Sequence, residues 1–248
     1  MTNKANTKRR GILEASILSW RDINTDLWIM SIEKPDGFIF KPGQYCTIGF
    51  EGIERAYSIA SAPHEPYLEL FVELVPLPDG MLTPKLRELA PGDTVTIRPR
   101  AKGLFIFNPH LPKQLMVSTV TGIVPYISIL RDYLYDAREG HYFHILQGAS
   151  YVEEFVYDNE LARLQKGHPD LLTYLPTISR PTEERNFGWK GEVGRANEIL
   201  ESYVEKHDLA PDETVIYACG HPGMIEDVKS QFIPRGFMVE EERFWKDS

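Results

Sequence analysis

Asn108-Pro109-His110-Leu111-Pro112 separates two kinds of sequence, and the contrast across it sets the fold class. On its N-terminal side, short extended runs recur between Gly and Pro: Leu13 to Ser19, Leu27 to Ile32, Gln44 to Phe50, Arg55 to Ile59, Tyr67 to Leu74 and Thr94 to Pro99. Pro35-Asp36-Gly37, Pro42-Gly43, Pro78-Asp79-Gly80 and Pro91-Gly92-Asp93 supply the turns, because Pro presets φ and Gly tolerates the left-handed angle a turn demands. Strands at that spacing predict an antiparallel barrel or sandwich, interrupted by one helix over about Thr83 to Leu89.

Beyond the break, buried runs alternate with amphipathic segments, the rhythm of a parallel sheet with helical crossovers. Predicted strands are Leu115 to Ser118, Phe143 to Gln147, Leu172 to Ile178 and Val215 to Cys219. Predicted helices are Ile123 to Tyr135, with Ile127, Leu130 and Leu134 at helical spacing, then Val152 to Gln165, Arg195 to Glu205 and Gly223 to Phe232. The expectation is two domains: an antiparallel β-barrel over 1–108 and a doubly wound α/β domain over 113–248. A cleft between them is the expected ligand site, since open parallel sheets bind beyond the carboxyl ends of their strands.

Composition narrows the chemistry. The 248 residues are 42% hydrophobic, enough for two buried cores, yet no segment approaches the roughly 20 apolar residues of a membrane-spanning helix. A formal net charge of -9 argues against nucleic acid and anionic membranes as partners. Met1 to Arg10 is polar, without the apolar stretch of a secretory signal, so the expected location is the cytoplasm. The two cysteines, Cys46 and Cys219, are too few for a four-ligand iron-sulfur cluster. Neither an HExxH pair nor a G-x-S-x-G elbow occurs, and His141 and His144 read as surface or packing residues.

Four blocks carry candidate chemistry. In Arg55-Ala56-Tyr57-Ser58 a guanidinium can pair with a phosphate, a phenol ring can stack on a flat heterocycle and a hydroxyl can reach a ring nitrogen. The same residues suit an ordinary strand with a surface Arg and a half-buried Tyr. Asp79-Gly80-Met81-Leu82-Thr83 precedes the barrel's one predicted helix and either meets a phosphate with its N–H groups or forms a turn with Thr83 as N-cap. Ser118-Thr119-Val120-Thr121-Gly122-Ile123-Val124-Pro125 links a strand to a helix whose N-terminus favours a pyrophosphate, although it lacks GxGxxG. Cys219-Gly220-His221-Pro222-Gly223-Met224 closes a core strand.

Taken in order, these blocks resemble the ferredoxin-NADP reductase family of the bacterial type, over about Gly11 to Trp245. The resemblance implies FAD as cofactor, with Arg55 on its pyrophosphate, Tyr57 stacked on the isoalloxazine and Ser58 bonded to flavin N5. It gives Gly80, Met81, Leu82 and Thr83 a second pyrophosphate contact, and makes Thr119, Thr121 and Gly122 a dinucleotide loop. Cys219 is implied beside the nicotinamide C4, with Gly220 permitting close approach, so that Tyr57, Ser58 and Cys219 surround the reacting atoms. Phe244 or Trp245 is implied as a ring covering FAD.

The implied reaction passes hydride between NADPH or NADH and the flavin, then single electrons to or from a ferredoxin or flavodoxin. Such acidic carriers would need a local basic patch. Alternatives are a reductase component of a multicomponent oxygenase, a free-flavin reductase, or a non-catalytic electron-transfer or nucleotide-sensing subunit. Departures from the family pattern bear on the dinucleotide: Val120 stands where Gly is general, and Ser150 and Glu192 stand where Arg is expected. Ser179-Arg180 is retained and Arg195 is a candidate replacement cation, so NADH is expected to serve at least as well as NADPH.

Overall fold

Along Leu27–Glu33 every residue but the last is buried, which a strand achieves only when both of its faces are covered. Trp28, Met30 and Ile32 point into one apolar core while Leu27 and Ile29 point into another. That double burial defines the architecture of residues 11–243, which the computed structural model describes.

The first sheet contains β1 (Leu13–Asp22), β2 (Leu27–Glu33), β3 (Tyr45–Phe50), β4 (Ile53–Ser58), β5 (Tyr67–Glu73) and β6 (Thr94–Ile97), in the order β4-β3-β6-β1-β2-β5. Every pairing in it is antiparallel, and the curled sheet encloses a core of Trp28, Ile48, Leu68, Leu70 and Val95. Helix α1 (Thr83–Leu86) is only four residues long, three short of the expected end.

The second sheet contains β7 (Lys113–Thr119), β8 (Tyr142–Ala149), β9 (Leu172–Ile178), β10 (Glu192–Val193), β11 (Thr214–Gly220) and β12 (Met238–Arg243), all parallel, in the order β10-β9-β8-β7-β11-β12. Helices α2 (Val124–Tyr135) and α3 (Asp158–Gly167) contribute to the core on one face, while α4 (Ala196–Lys206) and α5 (Pro222–Phe232) cover the other. Strand order reverses between β7 and β11, the switch point at which open α/β sheets bind ligands.

Three further elements differ from expectation. The segment predicted as a helix from Val152 breaks into a 3₁₀ turn over Val152–Glu154 and a helix that starts only at Asp158. The Glu154 carboxylate accepts from the N–H groups of Ser150 and Tyr151, which ties the turn back on itself. Strands β10 and β12 were not expected, because two residues carry no period and Glu240-Glu241-Glu242 resembles solvated chain.

One core joins the two sheets. Leu27, Ile29, Ala60, Phe71 and Phe105 from the first half pack with α2 and with Tyr217 and Cys219 of β11. Phe105 meets the Tyr217 ring edge-on at 5.3 Å, and the Ser128 hydroxyl donates to the Ser61 carbonyl at 2.8 Å. Helix α2 is buried along most of its length because it lies within this shared core. Among the described residues, no helix is long and apolar enough to cross a membrane.

Candidate active site

The end of β4, the far end of β5 and the Asp79–Thr83 segment enclose a cavity of about 570 Å³. It gathers Arg55, Tyr57, Ser58, Gly80, Met81, Leu82 and Thr83, the first two sequence blocks, together with Thr121 and Val124 from the second half. A second cavity of about 830 Å³ opens over the switch point and gathers Thr119, Thr121, Ser150, Ser179, Arg180, Arg195 and Gly220. Both volumes fall in the range of about 300 to 1,000 Å³ that small-molecule and cofactor sites occupy.

Within the first cavity, Ser58 is buried and its hydroxyl donates to the Glu242 carboxylate at 3.4 Å. Burial raises the Glu242 pKa to about 7, against the lowering effect of the Ser58 hydrogen bond. Tyr57 is also desolvated, so its phenol remains protonated across the working pH range. Arg55 is exposed and donates one bond to the Glu54 carbonyl.

The Asp79–Thr83 segment is narrower in its options than expected. The Thr83 hydroxyl is spent on Val75, accepting from its N–H at 2.9 Å and donating to its carbonyl at 3.1 Å. Leu82, not Thr83, is the N-cap, and its side chain belongs to the barrel core. A Cβ at Gly80 would lie 1.8 Å from the Val75 carbonyl oxygen, so the position tolerates no side chain. What this segment offers a ligand is backbone and the exposed side chains of Asp79 and Met81.

At the switch point the two loops are stapled together. The His221 N–H donates to the Thr119 hydroxyl at 2.8 Å, and a Cβ on Gly220, at φ +126°, would lie 2.2 Å from that same oxygen. Gly122 sits equally close to β11, where an added Cβ would be 2.1 Å from the Cys219 carbonyl oxygen. Val120 adopts φ +41°, the left-handed region. The backbone there has the form a glycine adopts freely, and a β-branched residue bears the strain, of order 1 to 3 kcal/mol.

Cys219 lines neither cavity; it is fully buried, and burial followed by the nearby Glu242 carboxylate pushes its thiol well above the usual range. It is therefore a neutral apolar residue behind the cavity linings, in register with Ser118 on one side and Glu242 on the other. Phe244 and Trp245 lie outside the described residues. Arg180 donates to the Tyr151 hydroxyl at 2.7 Å and pairs with Glu183 at 3.5 Å. Among the described residues, no group of three or more His, Cys, Asp or Glu is placed to hold a metal.

Glu242 escaped the sequence reading. Its only signal is pairing: once β12 lies parallel to β11, position 242 falls beside Cys219. Just outside the Ser58–Glu242 contact, two loops form an apolar and basic surface. Tyr45 bridges to Lys102, the Gln44 amide donates to the Gly103 carbonyl at 3.0 Å, and Gly103 abuts both Tyr45 and Glu242. These loops expose Ile39 and Leu104, at 82% and 92%, alongside Lys41, Arg100 and Lys102.

A nearly closed antiparallel sheet facing a doubly wound sheet, with one cavity on each and a common seam, defines a two-domain nucleotide-dependent oxidoreductase fold. Comparison with known proteins agrees. Residues 116–230 match the oxidoreductase NAD-binding domain family. The chain is 33% identical over 228 residues to ferredoxin-NADP reductase B of Sorangium cellulosum, covering 87% of this chain and 89% of that protein. It is 29% identical to the ferredoxin-NADP reductase of Pseudomonas aeruginosa, with 86% of each covered. The structure of a ferredoxin NADP+ reductase from Neisseria gonorrhoeae with bound FAD and NADP superimposes with a TM-score of 0.82, at 25% identity, over 95% of this chain and 99% of that one. The chain belongs to the ferredoxin-NADP reductase family.

Proposed function

We propose that the chain is an FAD-dependent oxidoreductase that draws hydride from NADH or NADPH and delivers electrons singly to an acidic ferredoxin or flavodoxin. The observation that carries this reading is the meeting of the two cavities: Thr121 and Glu73 line both, so a flat ring against Tyr57 and a ring over the switch-point loop can touch. The boundary between the FAD-binding and nucleotide-binding halves is assigned to 109–112.

The donor set fits the cofactor. Arg55 supplies a cation for the pyrophosphate, Tyr57 a ring face for the isoalloxazine and Ser58 a hydroxyl at the cavity wall, held by Glu242. FAD, when bound, supplies the conversion between a two-electron donor and a one-electron acceptor. The protein's share is orientation and protection. Ser58 stands at the first cavity's wall, and Glu242 behind it accepts from the Ser58 hydroxyl and holds a titratable proton. Thr121 and the left-handed loop shape the seam, and buried Cys219 backs it without charge.

The basic and apolar loop surface beside Glu242 supports an acidic carrier, because Lys41, Arg100 and Lys102 reverse the sign of a chain whose net charge is -9. For the dinucleotide, Ser150 offers no cation and Arg180 is paired with Glu183, while among the described residues Arg195 lines the second cavity without an ion pair and remains open to a 2'-phosphate. NADH is therefore proposed to serve at least as well as NADPH, with Arg195 as the residue through which NADPH is still accepted. Purified protein supplied with FAD should be yellow and should be bleached by NADH at least as readily as by NADPH. A protein that cannot retain FAD overturns the proposal.

A further inference from the structure

Of all described residues, only Glu73 and Thr121 line both cavities. Thr121 belongs to the loop already discussed. Glu73 is the last residue of β5 and has no assigned part.

Its orientation follows from strand alternation: Leu70 and Val72 point into the barrel core, so Phe71 and Glu73 point toward the second sheet. Phe71 packs edge-on against Tyr157, and Glu73 opens on the seam beyond it. Among the described residues its carboxylate has no hydrogen-bonding or ion-pair partner. Desolvation in the cleft, then the carboxylates of Glu154 and Asp26, raise its pKa above the usual glutamate range. The residue is nonetheless exposed at the mouth of the cleft, so a ligand that enters replaces water at this carboxylate and must bring hydrogen-bond donors of its own.

The chemistry of that ligand is constrained. Phosphates are excluded from direct contact with Glu73, because like charges repel at close range. The groups of a dinucleotide that reach the seam are the nicotinamide ring and the ribose attached to it, and that ribose carries two vicinal hydroxyl donors. We propose that Glu73 binds the nicotinamide half of the dinucleotide by accepting hydrogen bonds from this ribose diol. The assignment rests on the function proposed above. The ribityl chain of the flavin carries the same hydroxyl chemistry, and the experiment separates the two sources.

Full-length Glu73→Leu and Glu73→Gln proteins, supplied with FAD, are compared with the wild type using NADH and reduced nicotinamide mononucleotide as donors. The shorter donor keeps the same ribose and lacks the adenosine. Loss of a charge-assisted bond predicts a KM about tenfold higher for both donors in Glu73→Leu, with a smaller rise in Glu73→Gln, whose amide oxygen still accepts. FAD occupancy and the flavin reduction rate at saturating donor should change less than about twofold, on the same reasoning that the bond acts in ground-state binding. An unchanged or lowered KM overturns the proposal. Loss of FAD at constant KM also overturns it and moves the diol contact to the ribityl chain. Failure of the wild type to be reduced by either donor instead overturns the function itself, and that result is read before any variant.

Discussion

Glu242 combines three conditions that rarely coincide on a surface strand: burial, a hydroxyl partner in Ser58 and a neighbouring neutral thiol in Cys219. Its folded pKa of about 7 stands above the value of 4.5 taken for a free glutamate. Between those two values the unfolded chain has released the proton that the folded protein retains. Stability from this group is therefore complete below about pH 4.5, is lost as pH rises through 7 and is level above that. At about 1.4 kcal/mol per pKa unit, the loss amounts to roughly 3 kcal/mol. Glu242→Gln should remove that component. In urea unfolding of the FAD-free protein at pH 5 and pH 8, the wild type should lose more stability than the variant over this interval. Equal losses would mean that the carboxylate is solvated.

The loops over 35–45 and 98–106 act as one element, because the Tyr45–Lys102 bridge and the Gln44–Gly103 bond hold them together beside the Ser58–Glu242 contact. Lys41→Glu with Lys102→Glu should raise the KM for an acidic electron carrier at least tenfold at low salt and flatten its salt dependence, as expected for steering charges. Reduction of a small uncharged dye by NADH should stay unchanged, since neither lysine lines a cavity. A parallel loss with the dye would place the lysines in folding instead. At this level the sequence was readable where periodicity is strong. Trp28, Met30 and Ile32 mark β2, and Ile127 and Leu130 mark α2, through burial that repeats with the element. It was unreadable where tertiary contacts decide: β12 is an edge strand whose glutamates hide it, and Val120 conceals a left-handed turn that a glycine would have announced. Thr83 likewise has the residue type of a cap, and only its bonds to Val75 show a different use.

For the molecule as a whole, chemistry depends on holding two sheets at one angle, and Arg131 is the main polar strut between them. From α2 it donates two bonds to Glu160 of α3, each 2.8 Å, and one to Glu69 of β5 at 3.2 Å, with Glu65 at 3.8 Å. Tyr157 donates to the same Glu69 oxygen at 3.0 Å, so the network crosses from the second sheet's helices to the first sheet. Arg131 is 20% exposed and its partners are 16% to 24% exposed, too buried for the near-zero value of a surface pair. Nothing in the sequence linked these residues, which come from separate halves of the chain. Arg131→Met would leave three carboxylates facing one another without their cation. It should cost about 3 kcal/mol by urea unfolding, the lower end of what breaking a buried pair costs. Adding Glu160→Gln should restore part of that loss, giving a coupling energy above about 1 kcal/mol in a double-mutant cycle. Simple additivity of the two substitutions would show that the apolar core, not the ion-pair network, fixes the angle between the sheets.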